Sequence, residues 1–322
     1  KKKKKVSNRI LTRYFNTNKY LMKKFTFVLT LLLCLPLIVQ AQIKLNYNIN
    51  PGSSYITKVV LEQDISQTVM GQTQDIESDQ GYGIQLKFTD LEDGKYSVTM
   101  VYNSIMVNQP MAGLDYDSET ATSEPTGSAK AIASVLNNEL YFTLSKNGEV
   151  SNISGFEAML DSMAVSMGIT DDAQASMFKS QMSSQYNAQS IVDQLKRTLI
   201  IFPDKELNKG DTWSEDQSVT VPFAMNIQTT YELADYDDET VTLNIASDIF
   251  TEGDEANMGG ATMTPDLSGV QSGTITIDRN TGLILKGGME QLVSGILNMT
   301  SPQEMEIPLE ISGKTEVVGS IE

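Results

Sequence analysis

Two acidic runs are the residues whose types and spacing come closest to metal chemistry. They are Asp115–Glu119 and Asp235–Glu239, and each places several carboxylates within a short polar segment. Calcium is bound by six to eight oxygen atoms, which such a segment can supply in part. Neither run has the spacing and central glycine of an EF-hand loop. A solvated acidic turn is the interpretation we favour, and we assign no metal site.

The inventory of nucleophiles and imidazoles is short. The sequence contains no histidine and a single cysteine, Cys34. A Ser-His-Asp triad, a Cys-His dyad and a zinc site built from His or Cys are therefore excluded for these 322 residues. Carboxylates remain open for hydrolysis, but the separation of a catalytic pair is a three-dimensional quantity that the sequence does not contain. We name no catalytic residue and no cofactor.

Apolar side chains at helical spacing offer a different chemistry, the binding of an apolar ligand or of Cu(I) by thioethers. The methionines in question are Met159, Met163, Met167, Met177 and Met182. Apolar stripes of this kind usually face a core, which is the interpretation we favour. The sole tryptophan opens a strand, where it either packs in the core or stacks on a sugar. The residues that we predict to face the core or a ligand are Phe156, Leu160, Met163, Leu195, Leu199 and Trp213.

The N-terminal segment indicates export. Met22 is followed by two lysines and the apolar run Phe25–Val39, and short residues precede Ala41. A basic start, an apolar core and a small residue at the cleavage site are typical of a secretory signal peptide. The run is shorter than the roughly 20 residues that span a bilayer. We therefore predict a signal peptide at residues 22–41, preceded by an upstream extension at 1–21, and a periplasmic or extracellular protein with no transmembrane segment after cleavage.

Removal of this segment changes the charge of the chain. Ten of the 24 Lys and Arg residues precede Gln42 and none of the 41 Asp and Glu residues does, which leaves a formal net charge of −27. Such a surface repels nucleic-acid phosphates, so we expect no nucleic-acid partner. Cys34 lies inside the apolar run, which continues past it, and it is not predicted to be lipidated. A chain of this size buries enough core without a disulfide.

The periodicity of the remaining chain predicts strands on both sides of a helical segment. We divide it into an N-terminal β half at 42–153, a helical segment at 154–203 and a C-terminal β half at 204–322. Pro110–Gly127 and Thr251–Ser268 are predicted loops because they are rich in small and polar residues. The predicted strands are Ile43–Asn50, Tyr55–Met70, Gly83–Phe88, Tyr96–Val107, Val219–Tyr231, Thr240–Phe250, Gly273–Asp278, Leu283–Thr300 and Glu304–Gly319.

Helix boundaries are predicted from capping residues. Ser154–Glu157 has the spacing of a capping box, and Gly168 ends the helix that follows it. Thr170 is the predicted cap of a second helix and Asn187 that of a third, which Pro203 closes.

Three blocks recur in the same order in the two β halves, which indicates an internal duplication. Convergent turn chemistry is the alternative, because similar turns recur in any β protein. The matched segments are Gly52–Tyr55 with Gly210–Trp213, Asp90–Met100 with Asp235–Ile245, and Phe142–Gly148 with Ile275–Gly282.

Several of these motifs together resemble a known family. They are Val69–Gln72, Gly155–Leu160, Phe202–Trp213, Leu267–Ile275 and Asp278–Gly282. Over residues 43–318 the chain is similar to an uncharacterised family of exported Bacteroidota proteins, grouped as a domain of unknown function. The resemblance implies a location in the envelope of a Gram-negative bacterium or outside the cell. It brings no reaction, ligand or catalytic residue with it.

Together these observations predict an α+β, β-dominated protein with two related antiparallel, curved sheet halves and a central helical segment. The function we favour is a non-enzymatic binding or carrier module of the cell envelope. Its ligand would be an apolar or amphipathic molecule or lipid, held between sheet and helices. A structural component that binds another envelope protein is the alternative. A carboxylate-dependent hydrolase ranks lowest.

Cleavage of the predicted signal peptide determines the N-terminus of the exported protein. The exported protein should begin at Gln42, which can cyclise to pyroglutamate, because cleavage is expected after Ala41. Intact-mass measurement and N-terminal sequencing of the exported protein check this. Retention of residues 1–41, or a lipid on Cys34, would contradict it.

Overall fold

Long stretches of alternating residues form a β-dominated fold, as expected. The computed structural model describes residues 42–322 except 186–187, 220–223, 254 and 259–260. The predicted upstream extension, signal peptide and Cys34 lie outside the described residues. Residues 42–322 form one unit. Its strands are β1 Ser54–Val69, β2 Gln72–Glu92, β3 Lys95–Gln109, β4 Leu114–Asp117, β5 Glu139–Ser145, β6 Val150–Ser154, β7 Thr212–Val219, β8 Met225–Tyr236, β9 Thr240–Thr251, β10 Ala256–Met258, β11 Ala261–Asp278, β12 Ile284–Ser301 and β13 Met305–Ile321.

The strands form one antiparallel sheet with the order β6-β5-β3-β2-β1-β13-β12-β11-β9-β8-β7. Two short strands lie off this path, β4 beside β3 and β10 beside β11. The described part of the sheet is open, with β6 and β7 as its edges. The chain order β1-β2-β3-β5-β6 runs outward on one side, and β7-β8-β9-β11-β12 runs inward on the other. The last strand, β13, pairs with β12 and β1 and so joins the two sides.

The helices lie between β4 and β7 in the chain. They are α1 Gly127–Ala133, α2 Phe156–Ser166, α3 Asp172–Gln185 and α4 Ala188–Thr198, with a 3₁₀ turn at Pro110–Ala112. The helix α4 contacts both edge strands, β6 and β7. It therefore lies across the gap between the two edges of the sheet. Among residues 42–322, with the gaps given above, no helix is long and apolar enough to cross a bilayer.

Several boundary predictions are wrong in detail. Ser154 is not a helix cap but the last residue of β6, and Gly155, with a positive φ of 93°, is the N-cap residue of α2. The carboxylate of Asp171 accepts the backbone N–H groups of Ala173 and Gln174 near the start of α3, so Asp171 and not Thr170 caps that helix. An aspartate carboxylate is the stronger acceptor, which explains the difference. The predicted cap Asn187 lies outside the described residues.

Both predicted loops contain regular structure. Pro110–Gly127 holds the 3₁₀ turn, β4 and the start of α1, and Thr251–Ser268 holds β10 and the first half of β11. The second segment is rich in Gly and Thr, which led to its prediction as a loop. Its side chains nevertheless alternate between the two faces of a strand, with Met263 and Leu267 on one face. Threonine itself favours strands, so composition alone misled the prediction.

The segment Ile43–Ile49, here called the N-terminal strap, is not a sheet strand as predicted. It is extended and forms one isolated bridge, between Ile43 and Leu207. Its alternate residues nevertheless are buried, with exposed fractions of 1–5% at Ile43, Leu45, Tyr47 and Ile49. The strap therefore packs across the sheet as a separate covering layer.

Tyr47 and Asn48 anchor the strap to three other segments. Its hydroxyl accepts the backbone N–H of Ile200 at 2.8 Å, and its ring centroid lies 5.2 Å from that of Phe202. Its own N–H donates to the carbonyl of Lys146 at 2.8 Å, while Asn48 N–H donates to Thr281 at 3.1 Å. The strap thus ties the β5–β6 turn, the β11–β12 turn and the chain after α4 together.

We expect Tyr47→Phe to lower the free energy of unfolding by about 1–3 kcal/mol, because it leaves the buried N–H of Ile200 without an acceptor. Denaturant melts measure this loss. Tyr141→Phe is the matched control: Tyr141 is 44% exposed and its hydroxyl bonds only the exposed Glu139. The control should change stability by less than about 0.5 kcal/mol. Equal effects of the two variants would contradict the role of the strap.

Candidate functional site

The two faces of the sheet differ in charge. Successive side chains point to opposite faces of a strand. We call the face that carries the core residues the inner face. It is formed by the odd-numbered residues of β1, β7, β9, β11 and β13. The odd-numbered residues of β8 before its bulge and of β12 after its bulge also belong to it. Among these described residues one is charged, Glu215. The outer face of the same strands carries residues such as Lys58, Glu310 and Lys314. The sequence alternation therefore produces an almost uncharged inner face.

One part of the inner face is covered by the helices and the strap. All six residues predicted to face the core or a ligand lie in the cluster formed there. Leu160, Leu195 and Leu199 are at most 1% exposed, Met163 is 5% and Phe156 is 9% exposed. Trp213 is half-buried against the same cluster. Protein side chains thus fill this region.

Trp213 is held by specific contacts at the edge of that cluster. Its indole N–H donates to the carbonyl of Ile201 at 2.9 Å. Its ring stacks on Tyr231 with a centroid distance of 5.2 Å and an interplanar angle of 16°. The helical methionines, in contrast, do not share one environment. Met163 is buried, whereas Met167 is 45% exposed and Met177 is 74% exposed.

Buried tyrosines keep the covered part of the face neutral. Burial raises the pKa of Tyr55 to about 12, and its hydroxyl donates to the carbonyl of Ile284 at 2.7 Å. Burial likewise raises the pKa values of Tyr47 and Tyr231 above the usual range. These phenols therefore remain protonated at physiological pH.

A second apolar cluster, here called the distal cluster, lies on the same face farther along the strands. It consists of strand residues alone, from β9 and β11–β13. Half-buried residues of β1, β8, β10, β11 and β13 surround it, three of them methionines. The buried members are Ile249, Leu267, Val293, Leu297, Ile307 and Leu309, and the half-buried members are Ile65, Val69, Met225, Ile227, Ala256, Met263, Met305 and Ile311. Methionines adapt to differently shaped apolar partners.

A row of polar residues separates the two clusters. Its members, here called the polar row, occupy one register across seven adjacent strands, and each pairs directly with the next. They are Thr229, Ser247, Gln271, Gln291, Gly313, Gln63 and Ser78. Thr229 and Ser247 share a hydrogen bond of 3.0 Å, and Gln109 donates to Ser78 at 3.1 Å. The row therefore places hydrogen-bonding groups beside apolar surface.

Sequence reasoning missed the distal cluster and the polar row. Their members are far apart in the chain, and only the strand register brings them together. One signal was available: from Met263 to Ile321 the odd-numbered residues of the strands carry no charge, whereas the even-numbered ones include most of the Asp, Glu and Lys.

The acidic features have structural explanations. The Asp237 carboxylate accepts the backbone N–H groups of Thr240 and Glu239 at 2.6 and 2.8 Å, and these bonds hold its pKa below the usual range. Asp117 accepts the N–H of Glu119 in the same way. In the part of the chain that the structure describes, no three His, Cys, Asp or Glu residues converge as metal ligands.

A cleft of about 420 Å³ lies on the outer face beside the 3₁₀ turn. Its lining residues include carboxylates from three strands: Asp64, Asp75, Glu77 and Glu310. Ser66 donates to Asp75 at 2.8 Å. The charge of this cleft does not suit an apolar ligand, although Ile65 at the border of the distal cluster also lines it.

The arrangement defines a single-sheet β protein with a helix-covered core and a second, strand-lined apolar surface. The chain belongs to a family of unknown function, DUF6263, whose model matches residues 93–284. No curated protein matches the chain.

The chain is similar to several solved structures at low sequence identity. Lipovitellin, in a structure of its lipid–protein interactions, is 10% identical over 85% of this chain and 26% of its own, with a TM-score of 0.43. The chain thus spans about a quarter of lipovitellin. DynF from the dynemicin pathway of Micromonospora chersina is 7% identical over 87% of this chain and 86% of its own, with a TM-score of 0.22. An outer-membrane channel from Pseudomonas putida F1 is 10% identical over 85% of this chain and 97% of its own, also with a TM-score of 0.22.

Glycines on the inner face allow the central strands to approach closely. A Cβ atom at Gly273 in β11 would overlap the carbonyl oxygen of Gly288 and lie 2.7 Å from the Cα atom of Met289. We expect Gly273→Ala to lower the free energy of unfolding by about 1–3 kcal/mol, because backbone atoms must shift. Gly288→Ala is the control, since its Cβ would lie 4.0 Å from the nearest oxygen. It should be neutral or slightly stabilising in denaturant melts. A similar loss in both variants would contradict this account of the sheet.

Proposed function

We propose that this protein is a non-enzymatic binding module for an apolar or amphipathic ligand, which it holds on the distal cluster. The observation that carries the proposal is the uncharged inner face, which continues beyond the helix-covered core as a surface of strand residues alone. A charged group in such a place would be poorly solvated, whereas an apolar chain would not. Three half-buried methionines at its border suit a ligand of variable shape.

The helix-covered cluster is the less suitable location, although the sequence pointed there. Leu195 and its neighbours are packed against each other, so protein side chains already fill this region. The distal cluster differs because its border is half-buried. We therefore propose that the ligand binds to the distal cluster. In this proposal the following residues belong to the protein core and do not contact the ligand: Phe156, Leu160, Met163, Leu195, Leu199 and Trp213.

An envelope location completes the proposal. Export is supported by the signal-like segment at residues 22–41 and by the acidic charge of the remaining chain. A periplasmic or extracellular protein meets lipids and other amphiphiles of the envelope, which gives the inner face a source of ligands. The resemblance to exported Bacteroidota proteins supports the same location.

We further propose that the two sides of the sheet arose by duplication. The hydrogen bonds at the start of β1 recur at the start of β7, and a bulge precedes the following turn on both sides. The paired bonds are Gly52 N–H to Phe88 O and Phe88 N–H to Ser53 O, and Gly210 N–H to Leu233 O and Leu233 N–H to Asp211 O. Related sequences in which the two blocks never resemble each other would argue against duplication.

Binding of an uncharged apolar dye tests the proposed function. With protein comprising residues 42–322, we expect Nile red fluorescence to rise and shift to the blue, saturating near one dye per chain. Unlabelled monoolein should displace the dye. Absence of saturable binding would overturn the proposal and leave a protein-interaction module as the alternative.

Two variants locate the bound dye. Ile311 is a half-buried inner-face residue, and Leu292 on the adjacent strand β12 is 48% exposed on the outer face. We expect Ile311→Gln to weaken dye binding about tenfold, or about 1.4 kcal/mol, and Leu292→Gln to leave it unchanged. Met305→Gln provides a second inner-face variant, and melts confirm folding of each. Equal affinities of inner-face and outer-face variants would contradict the location.

A further inference from the structure

The polar row indicates which class of amphiphile the inner face selects. We propose, as an extension that rests on the proposed function, that the protein binds an amphiphile with an uncharged, hydrogen-bonding head group. The head group would lie on Gln63, Gln271 and Gln291, and the apolar chain would lie along the distal cluster. Monoacylglycerols, long-chain alcohols and other neutral hydroxyl or carbonyl compounds belong to this class.

The geometry of the three glutamines supports a head-group site. Gln271 pairs with Gln291, and both Gln291 and Gln63 pair with Gly313. A Cβ atom at Gly313 would lie 3.0 Å from the amide nitrogen of Gln291, so this amide lies over the glycine. The Gln291 side chain therefore occupies the space that Gly313 leaves and extends toward Gln63, which pairs with that glycine from the other side.

The chemistry of the row favours a neutral head group. Each glutamine amide offers both a donor and an acceptor, which complements hydroxyl and ester groups. Within residues 42–322, outside the undescribed positions, the side-chain amides of Gln63, Gln271 and Gln291 make no hydrogen bond to another protein group and so are available to a ligand. Paired residues on neighbouring strands lie about 5 Å apart, so one head group can reach two amides.

Charge argues against the two other head-group classes. An anionic head group would meet no Lys or Arg on this part of the inner face, in a chain whose net charge from Gln42 onward is −27. A cationic head group would meet no carboxylate among the three glutamines. Among the described inner-face residues of the strands named above, the one carboxylate, Glu215, is opposite Thr229 at the far end of the row.

Lipids that share one chain but differ in head group test the inference. We would measure displacement of Nile red from residues 42–322 by monoolein, oleate and oleylamine at pH 8. Monoolein should bind at least about tenfold more tightly than either charged lipid. Gln291→Lys should reverse the preference toward oleate, because it adds an ammonium group to the row. Leu292→Lys adds the same charge on the outer face and should leave the preference unchanged.

The outcomes of this experiment distinguish failure of the proposed function from failure of the head-group inference. If Nile red and all three lipids fail to bind, the proposed function itself fails. If they bind with equal affinity, or if Gln291→Lys and Leu292→Lys change the preference alike, the head-group inference is overturned while apolar binding stands. If Gln291→Lys does not fold, Gln271→Lys provides the same test one strand away.

Discussion

Separation of charge between the two faces of one sheet is the constraint on which the rest of the structure depends. The charged side chains of the long strands point outward, where water solvates them, and the inner face is left almost neutral. Only a neutral face can be covered by helices and by the strap without a large desolvation penalty. The same alternation continues past the covered region, because β11, β12, β13 and β1 extend farther than the helices. A second uncharged surface follows from the length of these strands.

The cover of the sheet is assembled from segments that are distant in the chain. The helix α4 contacts both edge strands, and the strap crosses between turns of the two sides. Tyr47 is the point at which these contacts meet, because its hydroxyl and ring contact the chain after α4 and its backbone N–H binds the β5–β6 turn. The strap begins directly after the predicted cleavage site.

Much of the fold follows from local sequence signals, but the candidate site does not. The strand Tyr55–Met70 and the helical segment at 154–203 were predicted from periodicity, and the structure has β1 and α2–α4 there. Failures occurred where composition opposed periodicity, as in the Gly- and Thr-rich start of β11, and where an apolar alternating segment packed outside the sheet, as in the strap. The distal cluster and the polar row depend on register across seven strands. That register is fixed by turns and bulges along the whole chain, so no local pattern contains it.

Native mass spectrometry of the protein purified from its own envelope tests the central claim most directly. The account predicts a noncovalent adduct of one amphiphile per chain, which is released on unfolding and which fragments as an uncharged lipid. If only the mass of the polypeptide is observed under gentle conditions, and neither dye nor lipid binds when added, the claim that the inner face is a ligand-binding surface is contradicted.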